Sequence, residues 1–441
     1  MFVAAIFAVL VIVVIVLLAR NTSAVMYALI AYTPMNQLLP GGLFYRGIPE
    51  MLRMAAFIGV VILCALRGRP FLRIFWGDRL TKAVLLWYVA IFVSFVNSGS
   101  FTPWSERTMV RFTSYACLYF AIRGWILQSE QFWKCWKTIS YVIAFCGLFG
   151  MLQMAMGGPT QLFTILHLGI PANQWEGRTY SIVASGVNSF GGMMCVLLPF
   201  QTALYFSAPS RTMRLKHGAI LGVGLLAAVF SGSRGALMGI FVGIVLACIY
   251  LVRQKKTRLL ALGTLLVGLP VLIVMATLLS PRLTQVDKSD SVYKRYEIWD
   301  QALGMYRDHP ILGIGMGNFR ENYDADKLSM AQGLADVHNL YLQNLTETGI
   351  VGLCVFLWMC GELYWKGFRD LSRYRMGSIP HAMAYVTVAS TMAMMIHGTV
   401  DSLFVGSTEF GAAFMVMMAL ASRYNTLQGP ELLAPLRGAS N

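Results

Sequence analysis

Charge is what this sequence has least of. Of 441 residues, 12% are Asp, Glu, Lys or Arg and 57% are hydrophobic, with a mean hydropathy of +0.62. Soluble domains carry about twice that share of charge, so a soluble enzyme is excluded. Short alternating apolar segments are missing too, which excludes a membrane β-barrel. Carboxylates number 20 against 35 Lys and Arg, for a net charge of +15. The cations gather in short loops between apolar blocks, the mark of cytoplasmic loops, and not in a patch for nucleic acid. Metal-ligand spacing is lacking: His167, His217, His309, His338, His381 and His397 form no pair on one helix face. Asp324-Ala325-Asp326 has a suggestive spacing but lies among ordinary loop charges, so neither metal nor cofactor is expected. Seven of the eight cysteines fall in apolar spans and Cys135 falls in a basic loop; disulfides are not expected. The first apolar block, residues 2–18, lacks a basic start and a cleavage site, so it reads as a span and not a signal peptide.

What is present is a series of apolar blocks near the roughly 20 residues a helix needs to cross a bilayer. Two short ones, 2–18 and 24–39, are followed by spans near 51–66, 82–97, 108–127, 138–156, 187–207, 218–231, 236–252, 259–280, 340–365, 381–398 and 404–423. The chain is expected to be an all-α polytopic membrane protein of about 12 transmembrane helices, a single integral domain over 1–441. Arg67, Arg69, Arg73, Arg79 and Lys82 fix one loop as cytoplasmic. Arg211, Arg214 and Lys216, then Arg253 to Arg258, then Lys366 to Arg375 repeat the signal. On that frame the C-terminus is cytoplasmic. Residues 281–337 become a long periplasmic loop with seven basic and nine acidic residues, expected to hold short helices.

Polar residues of unusual placement collect on the outer side. Arg178 lies in the loop 157–186, shortly before Asn188 at the next span. Arg234 sits in the turn Ser231-Gly232-Ser233-Arg234-Gly235, and Arg295 in Tyr293-Lys294-Arg295-Tyr296-Glu297 of the long loop. A cation at the membrane border is costly unless partnered, and by default it marks function. His338 and Asn339 stand where the long loop meets an apolar helix. Backbone N–H groups there favour negative charge, so the imidazole is expected to be neutral and able to accept a proton. Gly349 and Gly352 read as a small-residue pair on one helical face. Glu347, about two and a half turns from His338, reads as packing against another helix. His397 and Asp401, four apart, read as a structural pair. Gly313-Ile314-Gly315-Met316-Gly317, after His309-Pro310, reads as a tight turn and not a phosphate loop.

Together these elements resemble a known family. His338-Asn339, then Gly349-x-x-Gly352, is similar to the signature of bacterial O-antigen ligases, which share a superfamily with O-antigen polymerases and O-oligosaccharyltransferases. Ser231 to Ala236 looks like that superfamily's arginine at a helix start, Arg295 to Phe319 like its long-loop motif, and Gly177-Arg178 with Asn188 like its earlier element. The resemblance spans about 175–365. It implies an inner-membrane glycosyltransferase with a periplasmic active site that works without a metal. The donor would be a polysaccharide on undecaprenyl pyrophosphate and the acceptor lipid A–core. His338 would be the base, and Arg178, Arg234, Arg295, Asn188 and Asn339 would hold the donor. Polymerase and oligosaccharyltransferase are the neighbouring readings, the latter expected to carry a longer C-terminal region. A flippase or other transporter is the reading from a different class, disfavoured because no internal repeat is found.

Overall fold

The computed structural model describes residues 2–32, 48–66, 78–126, 128–156, 186–252, 291–323, 336–375, 378–425 and 427. These residues form helices α1 Phe2–Tyr32, α2 Ile48–Leu66, α3 Arg79–Asn97, α4 Pro103–Trp125, α5 Ser129–Ala155, α6 Val187–Ser207, α7 Arg211–Phe230 and α8 Arg234–Val252. Then follow α9 Ser291–Asp308, α10 Phe319–Asn322, α11 Leu340–Arg373, α12 Ile379–His397, α13 Leu403–Gly406 and α14 Thr408–Arg423. No strand occurs among the described residues. Six of these helices, α3, α5, α6, α7, α11 and α12, are long and apolar enough to cross a bilayer. The chain is a multi-pass membrane protein. The expected span 259–280, Arg178 and the Asp324/Asp326 pair lie outside the described residues.

Burial sorts the helices into a centre and a rim. The apolar windows of α6 and α12 are 83% buried, whereas that of α7 is 22% buried. Nearly every residue of α14 is buried as well, with alanines and methionines such as Ala412, Met415, Met417 and Ala419 filling the middle of the bundle. Lipid tails are as apolar as the side chains, so association rests on close packing at small residues. Gly224 of α7, against Ile143 and Leu198, is one such contact. The first two expected spans join in α1, which breaks at Asn21 (φ −153°, ψ 82°). The expected last span is divided at Ser407 into α13 and α14.

The bundle has two polar ends. At one, Asp370 of α11 meets Arg369, Lys366, Tyr424 and Asn425, and Asp78 caps α3 and pairs with Arg123. The other end carries His338, Arg234, Asn188 and Asp401.

Gly349 does not lie on a helical face. Its φ of 64° and ψ of −169° break α11 into two segments. Inside an apolar bundle, each backbone group freed by such a break costs about 1–3 kcal/mol if left unpaired. The turn after α9 takes up four of these groups. Ile314 N and Gly315 N donate to the carbonyls of Thr346 and Glu347, and Ile350 N and Val351 N donate to the carbonyls of Pro310 and Ile311. The fit leaves no room for a side chain: a Cβ on Gly349 would stand 2.2 Å from the Ile311 oxygen, and one on Gly313 would stand 2.4 Å from the Glu347 carbonyl carbon. Glu347 itself is buried and serves the same junction, accepting from Phe319 N at 3.2 Å. Gly349→Ala should therefore lower stability by about 2 kcal/mol or more, through backbone overlap and a left-handed φ. Gly222→Ala, where an added Cβ meets nothing within 4 Å, should be neutral or slightly stabilising. Thermal unfolding in detergent compares the two.

Candidate functional site

The segment leading into α11 is held by four hydrogen bonds. Trp299 of α9 donates its indole N–H to Val337 O at 2.9 Å, and Val337 N donates to Gln343 Oε1 at 3.0 Å. Leu340 N donates to Gly398 O at 2.7 Å, and Asn339 Nδ2 donates to Thr399 O at 3.2 Å. Asn339 also caps α11, its Oδ1 accepting from Tyr341 N and Leu342 N. His338, between these anchors, has φ +53°, the one non-glycine positive φ among the described residues. Such a conformation costs of order 1 kcal/mol or more and persists where the surroundings impose it, most often at functional sites.

His338 faces Asp401, in the turn after α12. Nδ1 lies 3.3 Å from Oδ1, and the imidazole keeps 20% of its surface exposed against 9% for the carboxylate. Asp401 also accepts from Asn188 Nδ2 at 3.0 Å and from Ser402 N at 2.8 Å. Burial pushes the Asp401 carboxyl up. The hydrogen bond and charge of His338 outweigh this, with His397 and Arg295 adding to them, and hold it down at about 2. Asp401 is thus an anion at neutral pH and can only accept, so Nδ1 carries the shared proton, and in the neutral ring Nε2 is the free acceptor.

The expectation of an imidazole kept neutral by the helix terminus is corrected. Burial does pull the His338 value down, but Asp401, by hydrogen bond and charge, and Asp336, by charge, carry it above the ordinary 6.5. Two carboxylates outweigh the partial charge of a helix end.

Three helix N-termini converge here. Asn188 stands in the first turn of α6. Ser233, just before α8, lies 3.5 Å from His397 Nε2 through its hydroxyl, and a Cβ on Gly235 would meet Val400 and His397. Arg234 is thereby placed at the start of α8, between two residues that face the turn carrying Asp401. Arg295 lies one turn before Trp299 on α9, on the same side, and its charge acts on His338, His397 and Asp401. The structure thus brings together His338, Asn339, Arg234, Arg295 and Asn188. The side chains of Asn188 and Asn339 are turned on the protein itself, one holding Asp401 and the other building the cap. Asp401, read from sequence as a partner of His397, bonds instead to His338, sixty-three residues away. Its signal was its isolation: Asp401 and Glu409 are the two carboxylates between Gly377 and Tyr424.

Titrating the His338 ring by NMR checks the electrostatics. The wild-type value should lie above 6.5. In Asp401→Asn, which removes the charge that outweighs burial, it should fall below 6.5.

No curated protein matches the chain. Residues 219–357 match the family model described as O-antigen ligase, a stretch that holds Arg234, Arg295, His338 and Gly349 and leaves out Asn188 and Asp401. Over that segment, about a third of its length, the chain is similar to the O-antigen ligase family.

Proposed function

We propose that the protein is an O-antigen ligase, moving O-antigen polysaccharide from undecaprenyl pyrophosphate to a sugar hydroxyl of lipid A–core at the periplasmic face of the inner membrane. The observation that carries this reading is the His338–Asp401 pair, with Nε2 left to accept, beside two arginines and three helix N-termini that favour an anion. Nε2 takes the proton of the acceptor hydroxyl as its oxygen attacks the anomeric carbon. The bond from that carbon to the pyrophosphate breaks, and its electron pair leaves with the undecaprenyl pyrophosphate. Displacement in one step inverts the anomeric centre, and no metal is assigned a role. Asp401 stabilises the imidazolium that forms, as the carboxylate does in a hydrolase triad. Arg234 and Arg295, joined by Arg178 of the segment before α6, bind the pyrophosphate and stabilise its growing charge. Asn188 and Asn339 act through Asp401 and the backbone as positioning residues.

The orientation rests on the basic residues at the end opposite the site, among them Arg211, Arg214, Lys216, Arg369, Arg373 and Arg375. A cysteine at Glu321, exposed in α10, should react with a membrane-impermeant thiol reagent in intact cells, and one at Ser372 should not.

Deleting the gene in a host that makes O-antigen should leave polymerised glycan on undecaprenyl pyrophosphate and bare core. Core capped with a single repeat unit would point to a polymerase and overturn the assignment. In purified protein, His338→Ala should slow transfer by about 10²–10⁴ and leave binding of a short polyprenyl pyrophosphate intact. Arg234→Ala should weaken both, and Arg234→Lys should restore them only in part, since a point charge cannot grip two oxygens. The pH profile carries its own sign. Transfer needs Nε2 unprotonated, so the wild-type rate should fall with acidification through a value above 6.5, and Asp401→Asn should shift that limb to lower pH.

A further inference from the structure

The site holds a second carboxylate, with a different environment from the first. Asp401 spends its oxygens on three protein donors, His338, Asn188 and Ser402. Asp336, two residues before His338 on the same anchored segment, accepts no hydrogen bond from any described residue. It is half-buried and lies within electrostatic reach of His338, Asp401, Arg111 and Arg320. Its neighbours come from α4, α10 and α13. A Cβ on Gly406 would stand 3.3 Å from Asp336 Oδ2. Arg111 of α4 donates to Val405 O, and the Arg320 guanidinium lies over the Trp104 ring, 4.2 Å from its centroid.

We propose that Asp336 is the acceptor-binding carboxylate of the site, gripping hydroxyls of the incoming sugar so that the reacting one meets His338 Nε2. The inference rests on the ligase reading and adds the residue that holds its second substrate. A carboxylate with unused lone pairs needs donors, and sugar hydroxyls supply them in adjacent pairs. A pyrophosphate supplies none and would be repelled, which leaves the donor to Arg234, Arg295 and the helix N-termini. Burial raises the Asp336 carboxyl, with the Asp401 charge adding to this and His338, Arg111 and Arg320 opposing it; a carboxylate short of donors gains most from a hydroxyl-bearing ligand.

Two measurements decide the matter. In the first, binding of soluble core oligosaccharide to the detergent-solubilised protein, without donor, is compared for wild type, Asp336→Asn and Asp336→Glu. Asparagine should weaken binding about 10- to 100-fold, as expected for losing hydrogen bonds to a charged acceptor, and glutamate should recover part of it. In the second, steady-state transfer by Asp336→Asn should show the acceptor KM raised by a similar factor, with kcat within a few-fold and polyprenyl pyrophosphate binding unchanged. Unaltered acceptor binding and KM would overturn the inference, and so would a fall in kcat alone, which would place Asp336 in proton transfer. Absence of transfer by the wild type would sink the ligase reading instead. The first measurement needs no turnover and would still decide whether Asp336 binds sugar.

Discussion

An apolar bundle tolerates a broken helix only if the freed backbone groups find partners, and this requirement at Gly349 ties the molecule together. The break in α11 is matched by the turn after α9, whose carbonyls and amides take the places of the missing helical ones. That junction seats α9 against the bundle, where Thr346 donates to Ala302 O. From there Trp299 reaches Val337 and fixes the segment that carries His338. A backbone constraint inside α11 thereby sets the place of an imidazole before its first turn.

The charges around that imidazole divide the work. Asp401 is saturated by protein donors, so it fixes the ring's tautomer and raises its basicity. Asp336 is close enough to add to the field but keeps its oxygens unspent. Arg295 acts on the same ring from α9, and Arg234 stands at the start of α8, where the helix N-termini add to their field. Negative charge in the first place orients the base and in the second meets hydroxyls. Two carboxylates of one residue type thus diverge because their neighbours differ, the same logic by which paired acids acquire separate roles elsewhere.

Much of this was legible in the sequence, because hydropathy fixes spans and because His338, Arg234 and Arg295 sit in short local patterns. The helix boundaries agree with the apolar blocks to within a few residues for α6, α8 and α12. What could not be read is whatever depends on φ or on distant contact. Gly349 and Gly352 have the spacing of a helical face, and nothing local reveals that the first adopts a positive φ. Asp401 is brought to His338 across sixty-three residues by the packing of α11 against α12, and the histidine four residues away was the only partner that spacing suggested. Asp336 was hidden among the nine acidic residues of its loop. The basicity of the imidazole was misjudged for the same reason, since the charges that raise it come from outside its own helix.

The left-handed backbone at His338 has a consequence for how variation at this position would surface in a population. A bulky side chain there is held against its conformational preference, and replacement by asparagine or glycine relaxes the chain. Such a chain would fold, insert and escape proteolytic clearance, because cellular quality control responds to stability and not to chemistry. Defects at 338 would accumulate as abundant, correctly placed and inert protein, able to occupy substrate without turning it over. Defects at Gly349 would be cleared before they could compete. Two positions eleven residues apart would in this way give recessive and dominant loss from a single fold.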